Sequence, residues 1–223
     1  MNNKRTASLL IRVIVSLVVL LGAAMPVRSA SITYVLDQSH ILPDGVGYLQ
    51  VTVSDGLNGA IDFVVGAINP DLLEIAGTNF GIQAFAFNVG PDISVKVKAR
   101  NVTNLPAGWS ARDNFRMAGF GLFDIRLLTG SNNARSGTLT FSITGIDGDT
   151  LEDYIFASSG SASGGNQFFA AKVAGFKCLK GERKCLTNGF FGGSSEVPLP
   201  ATAWLFLTGM AGVAMRARRR FRH

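Results

Sequence analysis

Four carboxylates crowd into nine residues: Asp147, Asp149, Glu152 and Asp153 all fall within Ile146–Tyr154. Carboxylates this close could gather around Ca²⁺, which takes six to eight oxygen ligands. The spacing is not that of an EF-hand loop, because the ligands and the glycine miss the required offsets. A solvated acidic turn is the other reading. Paired carboxylates also hydrolyse glycosides when about 5–10 Å apart, but Asp and Glu pairs are too common to point there. Between the two terminal segments His40 is the one histidine, in Ser39-His40-Ile41-Leu42-Pro43; His223 is the last residue. One histidine limits both His-metal ligation and Ser-His-Asp catalysis. No G-x-S-x-G accompanies it. Trp109 sits beside Gly108 in an apparent loop. An exposed indole there would be a platform for a pyranose ring; packing in the core is the alternative. No catalytic residue and no cofactor is assigned on these residues.

The elements that would carry these side chains read as strands. Leu49, Val51 and Val53 alternate with polar residues, as do Ile93, Val95 and Val97, Phe123, Ile125 and Leu127, and Leu139, Phe141 and Ile143. Period-two alternation marks a half-buried strand with one wet face. Ile32–Leu36, Ile61–Val65, Phe85–Val89 and Phe168–Val173 are further candidates. Turn residues such as Pro43-Asp44-Gly45, Asn58-Gly59 and Asp147-Gly148 separate the segments. About eight strands and almost no helical window predict an all-β domain, an antiparallel β-sandwich, over residues 30–176. The exception is Asn69-Pro70-Asp71-Leu72-Leu73-Glu74, a single helical turn with Asn as cap. Ser158 to Gly165 reads as a flexible loop by composition. Asn101-Val102-Thr103 fits the N-glycosylation pattern, a short motif that chance supplies readily.

The charge is distributed unevenly. The chain of 223 residues carries a formal charge of +6. Residues 1–29 hold Lys4, Arg5, Arg12 and Arg28 with no acid, and residues 198–223 hold five arginines with no acid. The middle holds 12 Lys and Arg against 15 Asp and Glu. A nucleic-acid binder needs a basic fold, so the sequence argues against nucleic acid as partner.

Residues 1–29 read as a secretory signal peptide. Lys4, Arg5 and Arg12 form the basic region, and Val13–Ala24 is an apolar run of 12 residues, short for a membrane span. Val27-Arg28-Ser29 suits cleavage after Ser29. Export would place Cys178 and Cys185 in an oxidising compartment, where so local a pair is most simply a disulfide. Residues 177–196 then read as the disulfide loop and a flexible tether.

The opposite end has three parts in order. Val197, Pro198, Leu199, Pro200 and Ala201 come first. An uncharged, mostly apolar run continues to Met215. Arg216, Arg218, Arg219, Arg220 and Arg222 close the chain with His223. As a helix, Pro198 to Met215 would reach about 27 Å, enough to cross a bilayer if arginines snorkel. The positive-inside rule keeps the arginines cytoplasmic. The domain would then lie on the far side of the membrane, which agrees with the signal peptide.

Residues 197–223 resemble the PEP-CTERM sorting signal of Gram-negative bacterial envelope proteins. That signal joins a short Pro-containing motif, a hydrophobic span and an Arg-rich tail. The resemblance places the motif at Val197–Ala201, in a V-P-L-P-A form with Leu199 where the eponymous motif has Glu. Trp204, Leu205, Phe206, Gly209 and Gly212 fall in the span. The tract from Phe120 through Phe176 resembles, diffusely, the sandwich domains found ahead of such signals.

The resemblance implies passage through the secretion machinery and recognition by an exosortase, a membrane-embedded processing enzyme. It implies transient anchoring by the C-terminal helix, then delivery to the cell surface or an extracellular matrix rich in exopolysaccharide. The expected role is structural or adhesive. Two alternatives stand beside it: a carbohydrate-binding module built on Trp109 with Ca²⁺ at Asp147–Asp153, and a single-pass protein whose domain faces the periplasm. A hydrolase built on His40 or the carboxylates is a third.

Overall fold

The computed structural model describes residues 30–177 and 187–196. The chain forms β1 (Ser31–Leu36), β2 (Gln38–Ser39), β3 (Leu49–Asp55), β4 (Ile61–Ala67), α1 (Pro70–Glu74) and β5 (Ala76–Phe87). Then follow β6 (Val102–Thr103), β7 (Trp109–Met117), β8 (Gly121–Thr129), β9 (Thr138–Ile143), β10 (Phe169–Phe176), β11 (Asn188–Gly193) and β12 (Ser195–Glu196). They make two antiparallel six-stranded sheets, β12-β1-β3-β4-β9-β6 and β2-β11-β10-β5-β8-β7. The all-β expectation holds.

The alternation read from the sequence sets the inner faces. Leu49, Val51 and Val53 are buried on β3, and Val51 and Val53 lie opposite Val65 and Phe63 of β4. Phe63 and Val65 in turn lie opposite Phe141 and Leu139 of β9. The second sheet contributes Phe85, Phe87, Ile125, Leu127, Phe169 and Val173 to the same core. Rings join the two sheets: Phe63 lies 5.1 Å from Phe87, and Phe141 lies 5.9 Å from Phe85, between centroids. Such aromatic pairs contribute about 0.5–1.5 kcal/mol beyond area burial. The fold is therefore sandwich-like.

Asn69 caps the predicted helical turn, its Oδ1 accepting from the Leu72 backbone N–H at 2.9 Å, and Leu72 is buried.

Ile93, Val95 and Val97 form a helical turn instead of a strand. The Ser94 and Val97 N–H groups donate to Gly90 and Ile93 carbonyls, each at 2.9 Å. Ile93 and Val97 are four residues apart, so one turn buries both and leaves Val95 81% exposed. Pro91 favours that turn by fixing its φ.

The segment taken for a tether is also structured: β11 pairs with β10 and β2, and β12 pairs with β1. The domain thus continues past residue 176. Phe191 is fully buried, and glycines on either side let the sheets come close. A Cβ on Gly193 would collide with the Val35 carbonyl oxygen and stand 2.6 Å from Leu36 Cα.

Ser158 to Gly165 is tied down. Leu122 and Ser159 exchange backbone hydrogen bonds of 2.8 and 3.0 Å, and the Gly164 N–H donates to Gly119 O at 2.7 Å. The small residues let this loop lie against the β7–β8 turn, since a Cβ on Gly164 would be 2.7 Å from the Phe120 ring.

The predicted signal peptide, Cys178 and Cys185, and the Val197–His223 segment lie outside the described residues. Among the described residues no helix is long and apolar enough to cross a membrane.

Candidate functional site

The two sheets differ in charge. The strands of the first sheet contain Asp55, Asp62 and Glu196 and no base. Those of the second contain Arg112, Arg116, Arg126 and Lys172, with only Asp113 and Asp124 as acids. Both acids are engaged by backbone: Asp113 Oδ1 accepts from Ala99 N–H at 2.7 Å, and Asp124 Oδ2 accepts from Val89 N–H at 3.1 Å.

Strand register gathers the cations on the outer face. On β8, Ile125 and Leu127 join the core between the sheets, so Arg126 and Leu128 belong to the opposite side. One row across the sheet reads Arg112, Arg126, Ala86, Ala170, Gly192. Its neighbour reads Ser110, Leu128, Ala84, Lys172, Phe190. Small residues thus form the floor between basic and aromatic ones. Phe120 folds back over the Gly192 end, where a Cβ would stand 2.6 Å from its ring. Phe120, Met117 and Phe123 join Ala84, Ala86 and Ala170 in a second apolar cluster, with Leu128 and Phe190 against it.

Two cations rest on rings. The Arg126 guanidinium carbon lies 3.0 Å from the Phe115 ring centroid, and Lys172 Nζ lies 5.7 Å from that of Phe190. Such contacts attract a cation to the negative face of the ring. Burial, then the neighbouring Arg112, holds the Arg126 pKa below its ordinary value. Burial, then Arg135 and Arg126, lowers that of Lys172. The cations therefore act on one another. Arg126 Nε and Arg135 Nε are buried donors without a hydrogen-bond partner. Arg135 spends its outer nitrogens on Asn79 O and Asn132 Oδ1, at 3.1 and 2.8 Å.

The residues singled out in the sequence lie elsewhere or serve the fold. Trp109 opens β7 and is only 8% exposed, in the core cluster. Its Nε1–H donates to Ala134 O at 2.7 Å. Of the two readings of Trp109, packing in the core is the one the structure shows: the residue lies on a strand, not in a loop, and the ring is turned inward. His40 is exposed, and its Nδ1 accepts from the Phe190 N–H at 3.1 Å. The imidazole packs edge-on against Phe190 at 5.3 Å, at the border of the basic face.

The acidic segment is a capped turn. Asp153 Oδ2 accepts from Thr150 N–H at 2.9 Å and from its hydroxyl at 3.0 Å. Asp149 Oδ2 accepts from the Tyr154 hydroxyl at 2.5 Å. Among the described residues no three His, Cys, Asp or Glu side chains are grouped as they would be to hold a metal ion, Asp147, Asp149, Glu152 and Asp153 included. The turn gives Asp149 and Asp153 separate tasks in the fold. Asn101 likewise serves the fold, accepting from Lys98 N–H and donating to Thr144 O.

Sequence reasoning missed the outer-face cations. The readable signal was the sign of charge strand by strand, with basic residues in separate strands at positions that alternate with core residues. Compared with family models, curated proteins and solved structures, the chain matches none.

Proposed function

We propose that the protein is an exported component of the cell envelope or extracellular matrix, sorted by an exosortase-type system, with a structural or adhesive role beside exopolysaccharide. The observation that carries this reading is the ordered triplet at residues 197–223: the Val197–Ala201 motif, the apolar run and the arginine cluster. The basic and apolar segment at residues 1–29 gives the same direction of transfer. An all-β domain with a charged outer face suits a binding or scaffolding role. Asp149, Asp153 and His40 each hold a hydrogen bond that serves the fold, which favours such a role over hydrolysis.

The test is to replace Arg218, Arg219 and Arg220 with glutamine in the full chain and follow it by fractionation of exosortase-bearing cells. The reading expects the variant to accumulate unprocessed in the inner membrane. Normal processing of the variant would overturn it.

A further inference from the structure

We propose that the outer face of the second sheet binds an acidic polysaccharide, with Arg112, Arg126 and Lys172 engaging carboxylates on successive sugar units and Phe190 flanking the chain. The proposal rests on the matrix reading above for its ligand class and on the sheet for its geometry.

The described residues carry nine Lys and Arg and fourteen Asp and Glu. A net-acidic domain that still lines one sheet face with cations has a local preference opposite in sign to its total. Each acid in the strands of that sheet accepts from a backbone N–H, and Arg112 is exposed. The pairing places Arg112 beside Arg126 and sets Lys172 one row over and two strands further, on β10. At about 4.8 Å between strands, Arg112 and Lys172 are separated by about 14 Å across the sheet. One small anion cannot bridge that distance. A chain bearing carboxylates at intervals can.

A polysaccharide fits better than nucleic acid. Duplex DNA presents one charge per about 1.7 Å, and a domain whose described residues are net acidic would repel so dense a polyanion. A uronate chain carries one charge per sugar and offers apolar ring faces to the Phe190 and Leu128 surface. Guanidinium forks match carboxylates in plane.

The experiment uses the full chain with polygalacturonate as probe, beside neutral dextran, monomeric galacturonate and a DNA duplex. Expected are saturable binding to polygalacturonate that weakens with salt, no binding to dextran, and no competition by the monomer at equal sugar concentration. Arg112→Ser and Lys172→Gln should each weaken binding roughly tenfold, the scale of one charge-assisted contact. Lys96→Gln removes an exposed cation elsewhere and should leave binding unchanged. Urea midpoints of the variants verify folding. Tighter binding to DNA, equal loss with Lys96→Gln, full competition by the monomer, or no binding to polygalacturonate would each overturn the proposal. Failure here, with the wild-type chain processed in cells and the Arg218–Arg220 variant left unprocessed, removes the ligand assignment alone; intact binding by a chain whose arginine variant is processed normally removes the sorting reading alone.

Discussion

Arg112 lies directly opposite Arg126 in the β7–β8 pairing, two cations side by side on one face of the sheet. Like charges in that position destabilise a sheet. The Phe115 ring beneath the Arg126 guanidinium offsets part of the repulsion. Arg112→Ser should therefore stabilise the free protein, by on the order of 0.5 kcal/mol at low ionic strength. The gain should shrink as salt screens the pair. Urea unfolding at two salt concentrations measures it, and a loss of stability at low salt would show that the repulsion is not felt.

Gly193 makes the closest approach of β11 to β1. Its absent Cβ would fall against the backbone oxygen of Val35 and 2.6 Å from Leu36 Cα, neither of which can swing aside as a side chain could. Gly193→Ala should cost about 3 kcal/mol or more, at or beyond the upper end for overpacking. Gly130 has open space around it and no positive φ, so Gly130→Ala should be neutral or gain about 0.5 kcal/mol through the unfolded chain. Equal urea midpoints for the two variants would contradict the close approach.

Trp109 separates core from platform. Burial and the hydrogen bond to Ala134 predict a loss of about 3–5 kcal/mol for Trp109→Ala. Trp109→Phe keeps most of the packing and should lose about 1 kcal/mol with the N–H donor. An unchanged thermal midpoint in Trp109→Ala would mean that the ring is a surface feature.

Tyr154 links stability to alkaline pH. Burial first, then the hydrogen bond and charge of Asp149, raises its pKa far above the ordinary tyrosine value. The folded state thus keeps a proton that the unfolded state loses near pH 10. Above that pH the unfolded state binds fewer protons, so stability falls as pH rises. Below it the contribution is fully present. Tyr154→Phe should flatten the decline of the urea midpoint between about pH 9.5 and 11. An equally steep decline in the variant would place the titration elsewhere. Tyr34, raised by burial first and then by Glu196 and Glu152, acts with the same sign.

The strands were legible where alternation was strict. Val51 and Val53 on β3, Ile125 and Leu127 on β8, and Leu139 and Phe141 on β9 could be assigned to inner faces because a strand turns alternate residues the same way. Ile93–Val97 misled because residues spaced by four satisfy one helical turn as well as a strand. Gly189–Glu196 misled because glycine-rich composition resembles a tether, while here the glycines admit close packing against β1 and Phe120. The outer face was not legible from any one strand, since Arg112, Arg126 and Lys172 are far apart in sequence and only the register brings them together.

The most direct measurement is the intact mass and location of the protein from cells that carry an exosortase. The account predicts a species outside the inner membrane that lacks residues 1–29 and the segment beyond about Pro198. A full C-terminus retained in the inner membrane would contradict it, and would leave a single-pass protein whose domain faces the periplasm.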